Sequence, residues 1–283
     1  MAKDYDNAYK YLFSNKRIFY QLIQSFVKED FIKDISLENI ELMEKSFVSD
    51  EFLSRESDII YKIKLKESEV YIYVLLEFQS TVDKSIPIRM LLYILQFYDL
   101  LLRNSQKGLL PAVFPLLLYN GEANWTIPTN VKALVDHQIP EKYIPSFEYY
   151  KIIEKDIPDT TLEKLHNLVS AVIYLEKRKD KAGLEVVLDK IVEMIREEEM
   201  IDIRMFTIWF KRMFRQKVEP EESAKINNIM EVKDMLTLLA DRIKLEGKLE
   251  GKLETAKKMK AEGLDLDLIR RVTGLSKEEI EKV

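Results

Sequence analysis

Glu56-Ser57-Asp58-Ile59-Ile60-Tyr61 and Tyr73-Val74-Leu75-Leu76-Glu77-Phe78-Gln79 read as the two arms of a β-hairpin, and their alternation sets the fold. In the second arm Val70, Ile72, Val74, Leu76 and Phe78 share one face, because side chains alternate with period two along a strand. Tyr71, Tyr73, Leu75, Glu77 and Gln79 share the other. Glu77 and Gln79 therefore project together from the end of a strand otherwise built for a core. In the first arm Ile59, Tyr61, Ile63 and Leu65 point one way and Asp58 the other. Two carboxylates on neighbouring strands of a half-buried sheet make a candidate divalent-metal site, and that pairing points to an enzyme.

The chain has 283 residues, enough for two domains or one domain with an appendage. Its 33% charged residues, seven glycines and eight prolines mark a helix-rich globular protein. With no cysteine, disulfides, thiolate zinc sites and cysteine nucleophiles are excluded. Two histidines, His137 and His166, exclude a histidine-rich metal centre and leave few candidates for a Ser-His-Asp triad. Any metal must then be held by oxygen, which favours Mg²⁺ or Mn²⁺. The net charge of −5 gives no global sign of nucleic-acid binding, so a DNA contact requires a local basic surface. The segment Met1-Ala2-Lys3-Asp4-Tyr5-Asp6 lacks the apolar core of a secretion signal. The apolar stretches at 90–102 and 109–119 are too short and interrupted to span a membrane. The expectation is a cytoplasmic protein without a membrane partner.

Around the hairpin, helical spacing covers 6–26 with a break at Ser14-Asn15, and a first strand is expected around 40–47. The hairpin turns at Lys66-Glu67-Ser68-Glu69. Ser85 caps a helix running to about Asn104, with Pro87 in its first turn. That helix is apolar nearly all round, which predicts burial; Arg89, Gln96 and Arg103, seven apart, form its polar stripe. Residues 112–119 suit a strand buried on both faces, and 147–157 one more strand. Helix, three strands, helix and strand together predict an α/β sandwich with a crossover helix.

From about Thr160 the pattern is purely helical, over 162–175, 184–195, 203–214 and a long charged helix at 230–261. The repeat Glu246-Gly247-Lys248-Leu249, Glu250-Gly251-Lys252-Leu253 carries a narrow apolar stripe of Leu245, Leu249 and Leu253. The end of the chain reads as a helix, a turn at Gly274 and a second helix whose capping box is Ser276 with Glu279. Short helical hairpins of this kind favour a packing or association role over half of a DNA-reading helix-turn-helix.

Several of these segments together resemble the Rpn family of recombination-promoting nucleases, also described as transposase-like, within the PD-(D/E)XK nuclease superfamily. They are 6–13, Arg55 to Tyr61, Val74 to Ser80, Asp83-Lys84, Arg89 to Tyr93, Leu110-Pro111 and Tyr119-Asn120-Gly121, in order over about the first 160 residues. The resemblance implies a PD-(D/E)XK-like restriction-endonuclease core: helix, three-stranded antiparallel meander, crossover helix, strand. An all-α C-terminal region follows. The division expected is a nuclease domain at 1–159, a helical region at 160–240, and a charged long helix with a helical-hairpin tail at 241–283.

The resemblance further implies that Asp58 and Glu77 are metal ligands and that Gln79 stands where the superfamily has a lysine. Glutamine offers only neutral hydrogen bonds, whereas lysine stabilises developing negative charge. Lys62 and Lys10 are candidates for the missing cation, Asp6 for an accessory carboxylate and Arg89 for a contact to DNA phosphate. Taken alone, Asp6 and Lys10 make an ordinary i, i+4 helix pair. The function implied is Mg²⁺- or Mn²⁺-dependent endodeoxyribonuclease activity in recombination or mobile-element biology, with DNA as partner and a homodimer through the C-terminal helix. Two other readings stand beside it. One is a catalytically weak or inactive DNA-binding regulator of the same fold; the other is a transposase with strand-transfer activity.

Overall fold

A computed structural model describes residues 2–43, 59–65, 71–104, 108–136, 138–178, 184–213 and 229–282. Two helices, α1 (Ala2–Phe13) and α2 (Lys16–Phe26), break at Ser14-Asn15 as the spacing predicts. The break is built chemically: the Asn15 side chain accepts from the amides of Arg17 and Ile18 and so starts α2. A five-stranded sheet follows in the order β1 (Ile40–Leu42), β2 (Ile59–Lys64), β3 (Tyr71–Gln79), β4 (Ala112–Tyr119) and β5 (Tyr150–Ile153). The first three strands form an antiparallel meander, while β4 runs parallel to β3 and β5 parallel to β4. Parallel pairing requires a long crossover, supplied by α3 (Ile86–Arg103). The first strand is shorter among the described residues than 40–47, and both the remainder of that span and the turn at 66–69 lie outside them.

The two faces of the sheet are covered by different helices. Ile59, Tyr61, Ile63, Phe78, Leu116 and Leu118 join one large buried cluster with α1 and α2. Tyr61 stacks on Phe19 with centroids 3.9 Å apart, and its hydroxyl donates to the Phe13 carbonyl at 2.7 Å. A side chain from the sheet thereby satisfies a carbonyl orphaned at the end of α1. On the opposite face, Ile60 clusters with Tyr93 and Phe97 of α3, and Leu117 with Ile86 and Met90.

The helices after residue 158 join the first of these faces rather than standing apart. They are α4 (Asp159–Leu165), α5 (Leu168–Glu176), α6 (Leu184–Met194) and α7 (Met200–Met213). Every residue of α5 is buried, and Val169, Ile173, Phe206 and Trp209 belong to the cluster that holds Phe78. Asp202 of α7, itself buried, accepts from the Asn15 amide at 2.7 Å and from Arg17 Nε at 3.0 Å, tying α7 to the α1–α2 junction.

Three sequence expectations need correction. The single helix expected over 162–175 is two, because His166 takes a left-handed φ of 43° and Asn167 then opens α5 in a capping box with Ser170. Ser85 sits at the N-cap of α3 but makes no side-chain cap; its hydroxyl donates to Asp83 at 2.7 Å instead. Lastly, α3 is not buried all round: Ile88, Leu92, Leu95 and Leu102 are exposed, because only one layer of the protein meets this helix. The long α8 (Ile229–Ala261) runs unbroken through Gly247 and Gly251, and α9 (Leu266–Thr273) and α10 (Lys277–Glu281) close the tail. Ser276 and Glu279 form the expected capping box, and Gly274 takes the positive φ of 70° that its turn requires.

Replacing Tyr61 by Phe keeps the stack on Phe19 but strands the Phe13 carbonyl. The expected loss is about 1–3 kcal/mol of unfolding free energy. Urea denaturation monitored by circular dichroism measures it, and an unchanged midpoint would show the hydrogen bond to be dispensable.

Candidate active site at the ends of the parallel strands

In open α/β sheets the crevice beyond the carboxyl ends of parallel strands is where backbone groups and side chains converge. Here β3, β4 and β5 end together at Gln79, Tyr119 and Ile153. The loops that leave them are held tightly. A Cβ on Gly121 would lie 2.3 Å from the Ser80 carbonyl oxygen, so the chain leaving β4 reaches the end of β3 only because residue 121 has no side chain.

Register fixes the position of the sequence candidates. Ile59 pairs with Leu76, and Glu77 and Gln79 pair with Leu117 and Tyr119. Positions 77 and 79 therefore belong to the face covered by α3. Asp58 lies outside the described residues, as do the details of the Glu77, Gln79 and Asp6 side chains. Lys62 is on the same face but pairs with Tyr73, four residues from Glu77, or about 13 Å along the strand. Lys10 and Asp6 ride on α1, whose Tyr9 and Phe13 rings pack on Phe78 and so occupy the other face.

Arg89 is the candidate that the structure fixes best. Its Nη1 donates to Asp83 at 3.0 Å, and its Nε and Nη2 donate to the Tyr93 hydroxyl at 3.3 and 3.2 Å. Asp83 also accepts from the Ser85 amide at 2.8 Å. Partial burial raises the pKa of Asp83, but the Ser85 hydrogen bonds and the Arg89 charge outweigh it and hold the carboxyl below its ordinary value. Asp83 and Tyr93 escaped the sequence reading as partners of Arg89; their spacing of six before and four after it on one helical entry was the available signal.

A second unanticipated feature lies on the α1 side of the same edge. The Tyr9 hydroxyl donates to both carboxyl oxygens of Glu154, at 3.0 and 3.2 Å, and both residues are buried. Burial, reinforced by the Glu154 and Glu176 charges, pushes the Tyr9 phenol well above its usual range, so it remains a donor. Glu154 directly follows β5 and fastens that strand end to α1.

Among the described residues no group of three His, Cys, Asp or Glu side chains is placed to hold a metal. The donor chemistry at the strand ends fits a hard cation nonetheless, since Glu77 and the neighbouring main-chain carbonyls offer oxygen alone. No helix among the described residues is long and apolar enough to cross a membrane.

A family model described as "Putative transposase, YhgA-like" matches residues 3–205, and one described as the C-terminal HTH domain of the Rpn/YhgA-like nuclease family matches residues 249–283. The tail, expected as a packing or association element, is thus assigned to a helix-turn-helix domain. The chain is 25% identical over 256 residues to recombination-promoting nuclease RpnA of Escherichia coli K12, covering 86% of this chain and 84% of that one. It is 24% identical over 173 residues to RpnD of E. coli O157:H7, covering 57% and 62%. It is also 20% identical over 278 residues to the inactive nuclease-like protein RpnE of E. coli K12, covering 91% and 90%. No solved structure matches it.

The lowered pKa of Asp83 gives a pH prediction. Its contribution is complete above the unfolded carboxylate pKa and is lost as pH falls through the lower folded value. Between about pH 5 and about pH 2 the Tm of the native chain should therefore fall more steeply than that of Asp83→Asn. Parallel curves in thermal scans would remove Asp83 from the acid response.

Proposed function

The chain belongs to the Rpn/YhgA-like family, and on that premise we propose that it is a metal-dependent DNA endonuclease with a PD-(D/E)XK-like core, acting in recombination. One observation carries the reading. Ile59 pairs with Leu76, and the two acids are the chain neighbours of that pair, Asp58 preceding Ile59 and Glu77 following Leu76. The order of α1, the β1–β3 meander, α3 and β4 supports the same core.

In this reading Asp58 and Glu77 hold Mg²⁺ or Mn²⁺. Bound there, such an ion would lower the pKa of the attacking water and neutralise phosphate oxygens. Gln79 orients the attacking water or the scissile phosphate through neutral hydrogen bonds. Arg89 contacts DNA phosphate and Asp6 is the accessory carboxylate from α1, whereas Lys10, on the helix covering the other face, and Lys62, about 13 Å along the strand from position 77, are set aside as accessory cations. The helix-turn-helix tail adds a second contact to DNA, with Arg270 and Arg271 exposed on α9. The likeness to RpnE favours one alternative, a DNA-binding regulator that retains the fold without cleavage.

Plasmid nicking with Mg²⁺ or Mn²⁺ tests the site. The native chain should nick, while Asp58→Ala and Glu77→Ala should each lose activity by at least about 10²-fold. Equal cleavage by all three would remove the assignment, and DNA binding without cleavage by any would favour the regulator. Joined DNA ends in place of nicks would instead mark a transposase.

A homodimer through α8 is part of the proposal, since two sites cut two strands. Leu245 and Leu249 are exposed on that helix. Sedimentation should give twice the chain mass for the native protein and the chain mass for Leu245→Glu with Leu249→Glu. An unchanged mass would place the contact elsewhere.

A further inference from the structure

The nuclease reading leaves a chemical gap, because the superfamily lysine is Gln79 in this chain. Register and packing together say which cation is carried by the helix that crosses β3 beside position 77. Ile86 and Met90 form one buried cluster with Leu117, whose partner on β3 is Glu77. Tyr93 and Phe97 form another with Ile60, whose partner on β3 is Leu75. The stretch of α3 between these anchors crosses β3 between positions 77 and 75. Arg89 lies in the first anchor, between Ile86 and Met90, and sends its guanidinium to the Tyr93 hydroxyl of the second; its side chain is 26% exposed.

Arg89 is also held. Asp83 grips one end of the guanidinium and the Tyr93 hydroxyl, itself buried, takes Nε and Nη2. A guanidinium braced on two sides is a directed charge with little rotamer freedom left to lose on binding. Lys62 and Lys10 are placed differently. The first is about 13 Å along the sheet from position 77, and the second is on the helix that covers the opposite face.

We propose that Arg89 is the catalytic cation of this site, replacing the superfamily lysine from the crossover helix instead of from β3. This rests on the nuclease reading and deepens it: Arg89 binds a non-bridging oxygen of the scissile phosphate and stabilises the charge that builds there. In the step itself a water oxygen bonds to phosphorus, the bond from phosphorus to the leaving sugar oxygen breaks, one of water's protons ends on that oxygen, and the other stays on the new phosphate monoester until solvent takes it. No electron changes hands, and Arg89 stays protonated throughout. Asp83 and Tyr93 are positioning residues.

The test compares the full-length native chain with Arg89→Met, which keeps an unbranched apolar stem, and with Arg89→Lys. Nicking kinetics should show kcat reduced roughly 10²–10³-fold in Arg89→Met, the size expected for loss of a charge-stabilising donor. KM for plasmid, and duplex binding measured without divalent metal, should be nearly unchanged. Arg89→Lys should recover part of kcat, and guanidinium chloride added to Arg89→Ala should raise its rate saturably. A raised KM with intact kcat would overturn the proposal in favour of a remote phosphate contact. Equal loss in Arg89→Lys and Arg89→Met with no response to guanidinium would reduce Arg89 to a structural brace. If Arg89→Met does not give the native circular dichroism spectrum, Arg89→Lys and the guanidinium response decide the same question. No cleavage by the native chain overturns the nuclease reading itself, whereas native cleavage with an active Arg89→Met overturns this inference alone.

Discussion

Parallel pairing of β3 with β4 is the constraint on which the rest of the molecule depends. Antiparallel neighbours can be joined by a short turn, but parallel neighbours need a crossover long enough to return the chain to the starting edge. That crossover is α3, and its return path lies across one face of β3. The other face must then be covered from elsewhere, by α1 and α2 from before the sheet and by α5 and α7 from after it. The two faces acquire different chemistry as a result. One is a deep apolar core. The other is a thin layer under a single helix, where polar groups such as Arg89 and Asp83 remain within reach of water.

That asymmetry explains which parts of the fold were legible in sequence. Strands β3 and β4 were, because alternation and a continuous apolar run are local signals with a physical cause. The break between α1 and α2 and the capping box at Ser276 were legible for the same reason, since caps are written in adjacent residues. What could not be read was which elements meet. The outer side of α3 carries Ile88, Leu92 and Leu95, and composition alone made these look buried. The division of 162–175 turned on His166, where an apolar helical pattern hid a left-handed residue that Asn167 and Ser170 exploit.

The candidate site shows the same division. Glu77 and Gln79 were found because they interrupt an apolar strand, which is visible without knowing any neighbour. The brace formed by Asp83, Arg89 and Tyr93 was invisible as a unit, since Arg89 reads as part of a polar stripe with Gln96 and Arg103 and nothing local ties it to the other two. Glu154 falls inside the strand expected over 147–157 but follows its observed end at Ile153, and only the approach of Tyr9 from the far end of the sequence makes it a buried acceptor. Residues whose role depends on a local pattern are readable; residues whose role depends on a crossing of layers are not.

The burial of α5 and the hold of Asp202 on the α1–α2 junction bear on how the chain is made. The sheet is complete once Ile153 has been synthesised, yet the helices covering its deep face have no outer layer until α7 ends at Met213. Translation at about 5–20 residues per second leaves an interval of roughly 3–12 seconds in which α1 and α2 present bare apolar surface. A growing chain of this protein is therefore sticky before it is finished.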